Sequence, residues 1–203
     1  MATHKRRSRG GNNAKGPVQA LTKPPFPCVN CGSLMQGATL YCSELCSQEA
    51  EWVRYTRRSF RDGRARLLEV AYAIRVRRAH ILAGGYPAHA RRLPGCVRKA
   101  VFARDEGKCR ACGQPGAEID HISGDGDDLD NLQLLCAVCH RKKTLSSMIR
   151  ISKESHPAAW QKAEELSRRV RVKRPLRLCD SEEWNEIWRD ILTERKRQAA
   201  ISG

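Results

Sequence analysis

Ten cysteines in 203 residues are the first chemical feature of this chain, and eight of them fall into two quartets. One quartet is Cys109-x2-Cys112, a spacer of twenty-three residues, and Cys136-x2-Cys139. A Cys-x2-Cys knuckle presents two sulfurs from one tight turn, and two knuckles complete the tetrahedron of a structural zinc site. Gly113 suits the first of these turns. The other quartet is Cys28-x2-Cys31, a spacer of ten residues, and Cys42-x3-Cys46. Residues i and i+4 share a helix face, so Cys42 and Cys46 fit the start of a helix. Both quartets are expected to hold Zn²⁺; the competing reading of each is a set of reduced thiols. Cys96 and Cys179 have no partner at ligand spacing and are expected to be small core residues.

Between the paired knuckles lies Glu118-Ile119-Asp120-His121-Ile122, then an acidic loop with glycines, then Asn131-Leu132-Gln133-Leu134-Leu135. The second knuckle continues as Cys136-Ala137-Val138-Cys139-His140-Arg141-Lys142-Lys143-Thr144. With Arg104-Asp105 ahead of the first knuckle, this ordered combination resembles the HNH endonuclease (His-Me finger) family over about residues 94–147, about a quarter of the chain. The resemblance implies a ββα-metal fold, in which a hairpin and a helix clasp one catalytic divalent cation, Mg²⁺ or Mn²⁺. It implies Asp120 and His140 as ligands of that cation, His121 as general base and Asn131 as the residue that orients it. The four cysteines would brace the element from outside. The products it implies are a 5′-phosphate and a 3′-hydroxyl.

The residue chemistry agrees with those roles. An imidazole with an unperturbed pKa of ~6.5 accepts a proton at neutral pH. A cation held by one carboxylate and one imidazole keeps open positions for a phosphate oxygen and water. Successive helical residues point ~100° apart, so Cys139 can face structural zinc while His140 faces the catalytic cation. One demand is strict. Neighbours in a regular strand point to opposite faces, so Asp120 and His121 can gather with His140 around one ion only at a strand end or distortion. The loop Gly124-Asp125-Gly126-Asp127-Asp128-Leu129-Asp130 is richer in acid than the family's usual loop. It reads as a solvated turn, or as the source of a carboxylate that assists a cation. No glutamate falls at its twelfth position, which excludes an EF-hand.

The elements that must position these residues are mostly helical. From Glu49 to about Leu82 the pattern is helical, with Leu67, Val70, Ala71, Ile74 and Leu82 near one face; Gly63 breaks it and Gly84-Gly85 ends it. Pro94 starts a short helix through about Arg104. Further helices are expected over Pro157–Val170 and from Asp180, an N-cap with Glu183 three residues on. Trp160, Trp184 and Trp188 read as core; His80, His89 and His156 have no metal spacing. The fold class is α+β, mostly helical: a small ββα-metal module stapled by zinc, flanked by basic helices and an N-terminal zinc finger. The expected segments are a basic flexible arm (1–27), the finger (28–47), an arginine-rich helical region (48–93), the HNH domain (94–147) and a C-terminal helical region (148–203).

Charge points to the partner. The chain carries 38 Lys and Arg against 22 Asp and Glu, a formal +16. Two zinc tetrathiolates, each of net charge −2, leave about +12. Residues 96–145 balance at eight basic and eight acidic groups, so the surplus flanks them. A charge of one sign on this scale fits nucleic acid, and DNA, most simply duplex, is the expected partner. Arg54, Arg57, Arg58, Arg61 and Lys143 are the expected phosphate contacts; a solvated helix face is the plainer reading of the arginines. No apolar run approaches the ~20 residues of a membrane helix. The basic start is followed by Gly10-Gly11-Asn12-Asn13 and no apolar segment, so a cytoplasmic protein is expected. The reading is a metal-dependent DNA endonuclease; its alternative is a non-catalytic zinc-containing nucleic-acid-binding protein.

Overall fold

Gly63, at φ 75°, stops one helix and lets the next begin, where a side chain at this φ would be strained. In the computed structural model these are α1 (Glu44–Arg61) and α2 (Leu68–Leu82), separated by a 3₁₀ turn at Arg64–Arg66. The structure describes residues 18, 20–86, 93–124 and 126–202. Most of the expected basic arm, with His89 and Asp125, lies outside the described residues. The fold is α+β and mostly helical, with two small two-stranded sheets. Its described residues group into two compact units, one drawn from Met1–Arg58 with Arg168–Gly203, the other from Ser59–Ser167.

In the first unit, β1 (Phe26–Pro27) and β2 (Leu34–Met35) pair antiparallel around the knuckle that carries Cys28 and Cys31. The C-terminal helix, α6 (Trp184–Ser202), shares a core with this segment: Val29, Ala50, Cys179, Trp184 and Ile191 are buried together. Cys179 is the core residue expected of it. Trp188 packs against the same cluster, whereas Trp160 is 37% exposed.

A buried polar network ties the knuckle to the C-terminal segment. Arg169 Nε donates to Asp180 Oδ2 at 3.0 Å, and its Nη2 donates to Asn30 Oδ1 at 2.8 Å. Asn30 Nδ2 donates in turn to Glu49 Oε2 at 2.8 Å. Asp180 is therefore not the N-cap expected of it. Its carboxylate is committed to Arg169 at the end of a 3₁₀ turn, and α6 starts four residues later. Arg195, fully buried on α6, donates to the carbonyls of Leu21, Pro27 and Thr39 and lies over the Phe26 ring.

In the second unit, α3 (Gly95–Arg104) is followed by an antiparallel hairpin, β3 (Glu118–His121) and β4 (Leu132–Leu135), and then by α4 (Ala137–Ser147). Val101, Leu132 and Leu134 form the core, with Val97, Phe102 and Ile119 against it. Val97 and Val101 define the buried face of α3, and Cys96 lies off it. Cys96 is exposed, contrary to the core position expected of it. A Cβ at Gly116 would lie 2.3 Å from Leu134 Cγ, so only glycine lets the chain pass this close to the core.

Arg104 and Asp105 clamp α3 to the hairpin. Arg104 donates to the carbonyls of Leu129 at 2.5 Å and Leu132 at 2.7 Å, and to both oxygens of Asp105. Asp105 Oδ2 accepts the Leu134 N–H at 2.8 Å. The Arg104 guanidinium and that backbone N–H hold the Asp105 carboxyl below its usual range, against the opposing effect of burial. The remaining helix, α5 (Pro157–Arg171), follows α4 in the chain.

Candidate active site

Strand alternation decides which side chains meet. On β3, Ile119 packs into the core, so Glu118 and Asp120 project from the opposite face, towards α4. On α4, His140 and Lys143 are three residues apart and share the face that meets them. Asp120 Oδ1 lies 3.5 Å from His140 Nε2. Asp120 Oδ2 accepts from Lys143 Nζ at 2.6 Å and from Gln133 Nε2, its cross-strand partner, at 3.1 Å. Lys143 Nζ also donates to the His121 carbonyl. The other ring nitrogen of His140, Nδ1, meets the Glu118 carboxylate.

Asp120 and His140 are the two side chains here that could share a divalent cation. Two ligand atoms held ~2.1 Å from one metal at roughly right angles are about 3 Å apart, close to the observed Asp120–His140 separation. With the Glu118 carboxylate at Nδ1, the Nδ1–H tautomer of His140 would leave the Nε2 lone pair on the Asp120 side. A carboxylate behind a histidine ligand is the usual means of fixing its tautomer and raising its basicity. Glu118 was not singled out from the sequence. Its signal was there: position i−2 from Asp120 on a strand means the same face.

His121 and Asn131 are placed differently. His121 is the last residue of β3 and its ring faces away from Asp120; Nε2 lies 3.0 Å from Asp127 Oδ1. The structure thus joins Asp120 and His140 as a pair and turns the His121 ring to Asp127, so the expected gathering of all three side chains around one ion is not what the described residues form. Asn131 bonds the β3–β4 connection rather than the imidazole. Its Oδ1 accepts the Ser123 N–H at 2.9 Å and its Nδ2 donates to the Gly126 carbonyl at 2.7 Å.

The sulfurs of Cys109, Cys112, Cys136 and Cys139 all lie within 4.8 Å of one another, as do those of Cys28, Cys31, Cys42 and Cys46. Among the described residues these are the groups of three or more metal-type donors so gathered. A tetrahedron of 2.3 Å Zn–S bonds has S···S edges of about 3.8 Å. Cys112–Cys136 is 3.8 Å, and Cys31–Cys42 and Cys42–Cys46 are each 3.5 Å. Both quartets could hold zinc. Within one quartet, burial opposes the Cys109 thiolate, but the backbone N–H groups of Cys136, Ala111 and Cys112 bring its thiol down. The adjacent Cys112 and Cys136 sulfurs push Cys139 up. Four crowded sulfurs become thiolates together only when a cation compensates them. Cys136 caps α4, its sulfur accepting the Cys139 N–H at 3.5 Å, so the quartet and the His140 face are set by one helix start.

The expected phosphate contacts divide. Arg54 donates to the Cys179 carbonyl at 2.6 Å and stacks over Trp184. Arg57 donates to the carbonyls of Arg169 and Val172, at 2.9 and 2.7 Å, satisfying the end of α5. These two guanidinium groups hold the protein together. Arg58 and Arg61 are exposed, and Lys143 stands at the Asp120 carboxylate.

Residues 109–145 match the family model described as HNH endonuclease. That segment contains the hairpin, the second cysteine quartet and the face of α4 that carries His140 and Lys143. No curated protein and no solved structure matched the chain. HNH nucleases act on nucleic acid, which agrees with the strongly basic composition. No helix among the described residues is long and apolar enough to cross a membrane.

Proposed function

We propose that this protein is a divalent-metal-dependent endonuclease that hydrolyses phosphodiester bonds of duplex DNA, with both cysteine quartets holding structural Zn²⁺. The observation that carries the reading is the Asp120 Oδ1 to His140 Nε2 approach of 3.5 Å, backed by Glu118 at the far side of the imidazole. Asp120 and His140 are the residues to hold Mg²⁺ or Mn²⁺. Bound there, such a cation supplies Lewis-acid polarisation of a phosphate oxygen and a sink for charge on the leaving oxygen.

The chain's own groups do the rest. His121 takes a proton from water. The water oxygen bonds to phosphorus, the P–O3′ bond breaks, and the 3′ oxygen leaves with a proton from solvent. The products are a 5′-phosphate and a 3′-hydroxyl. Lys143 offers a positive charge beside the carboxylate, where a phosphate must approach. Arg58 and Arg61 are the proposed backbone contacts from α1, and the surplus charge supplies sequence-independent affinity.

One observation favours a second reading, a nucleic-acid-binding module without catalysis: the Lys143 ammonium already neutralises Asp120. Plasmid nicking with Mg²⁺ or Mn²⁺ separates the two. The nuclease reading expects nicking by the wild type and a loss of 10²-fold or more in His121→Ala, the scale of general-base contributions. Equal background in both proteins establishes the binding module.

A further inference from the structure

Asp127 has no part in the chemistry above, yet its Oδ1 lies 3.0 Å from His121 Nε2. We propose that Asp127 is the positioning residue of His121: it accepts the Nε2–H and so leaves Nδ1 as the proton acceptor turned to the substrate. This rests on the nuclease reading. A neutral imidazole has one N–H and one lone pair, and an ionised carboxylate only accepts. A carboxylate at Nε2 therefore selects the Nε2–H tautomer and fixes the ring. It also stabilises the imidazolium that forms once Nδ1 takes the proton from water, as the aspartate of a catalytic triad does for its histidine.

The loop is built to place Asp127. The Asn131 side chain holds the Ser123 N–H and the Gly126 carbonyl, and the Asn131 N–H bonds the Asp128 carbonyl at 2.9 Å. The Ile122 N–H bonds the Asn131 carbonyl at 2.6 Å. Gly126 and Asp128 flank Asp127, so Asn131 fixes both of its neighbours. The orienting influence of Asn131 on His121 passes through this loop and Asp127. Asp120, on the opposite face of β3, is engaged by Lys143 and Gln133.

The competing account is a solvated acidic turn that only repels phosphates, and it predicts the opposite sign. If Asp127 only repels, its removal leaves kcat intact and lowers KM. If it positions His121, Asp127→Ala lowers kcat roughly 10–100-fold, the usual cost of losing a partner behind a working side chain, at unchanged or lower KM. The test uses the full-length, zinc-loaded protein nicking supercoiled plasmid with Mn²⁺. Asp127→Glu is expected to restore much of the rate. Asp128→Asn, the same charge change one residue on, is expected to keep the wild-type kcat. A wild-type kcat in Asp127→Ala, or an equal loss in Asp128→Asn, overturns the assignment.

A second readout is independent of cleavage. Ring ¹⁵N shifts of His121, recorded at alkaline pH without divalent metal, are expected to show the Nε2–H tautomer alone in the wild type and a tautomer mixture in Asp127→Ala. Identical rings in both proteins refute the assignment. A wild type that cuts with neither metal sinks the nuclease reading instead, and the ring measurement then decides Asp127 by itself.

Discussion

Glu118 and Asp105 are the two carboxylates whose roles emerge only once their neighbours are known. Glu118 stands behind His140, and its charge and acceptor geometry both matter there. Glu118→Gln is expected to weaken Mn²⁺ binding, measured by calorimetry, by roughly 10–100-fold. Asp120→Ala should remove that binding, and unchanged affinity in either variant would detach the residue from the site. Asp105 contributes to folding. Its folded pKa is depressed, so its stabilisation is present above the unfolded aspartate value of ~3.9 and is lost as pH falls through the lower folded value. Acid would also protonate the cysteine quartets and release any zinc they hold, so the clean comparison is at neutral pH. There, Asp105→Asn should cost about 1.5–3 kcal/mol in denaturant unfolding, the range for hydrogen bonds to charged groups.

At the scale of elements, the β3–β4 connection is the decisive piece. Asn131 holds it by its side chain and both of its backbone polar groups, in a stretch with little apolar burial. Asn131→Ala should quicken hydrogen exchange at the Ser123 amide, which it leaves without its partner, while the core amides of β4 change little. Unchanged protection at Ser123 contradicts this account of the loop. Most helices were legible in the sequence because glycines and prolines mark their ends: Gly63, Gly84-Gly85 and Pro94 fall at real boundaries. The start of α6 was not legible. Asp180 has the composition of an N-cap, but a buried arginine eleven residues upstream claims its carboxylate, and no local pattern announces that competition. Cys96 failed similarly, since its side of α3 is set by Val97 and Val101 meeting β4.

On the scale of the whole molecule, the candidate site was legible because cysteine spacing, the Asp-His pair and the second His fall within one short stretch of chain. In the first unit the cysteine quartet was legible too, but the core around it was not, because its fold joins residues more than a hundred positions apart. Arg54 and Arg57 show why: a basic helix face looks the same in sequence whether its guanidinium groups meet phosphates or distant carbonyls. The consequence is measurable. Arg57→Ala should lower stability by about 1–3 kcal/mol and leave the salt dependence of DNA binding unchanged. Arg58, Arg61 and Lys143 together should contribute a slope of about −3 in log K against log salt. A slope that their joint replacement by alanine leaves untouched would remove them from the interface. Metal analysis is expected to find two zinc ions per chain. Chelation should expose buried Trp184 as well as loosen the second unit, since Val29, between Cys28 and Cys31, shares a core with α6.

The account stands or falls on whether Asp120 and His140 share a cation. The direct measurement is a crystal structure of the zinc-loaded protein soaked in Mn²⁺, with anomalous scattering recorded at the manganese edge. The expected result is a manganese peak bonded to Asp120 Oδ1 and His140 Nε2, with Glu118 still on His140 Nδ1. A map with the Lys143 ammonium on Asp120 and no manganese between the two ligands, at saturating Mn²⁺, would contradict it.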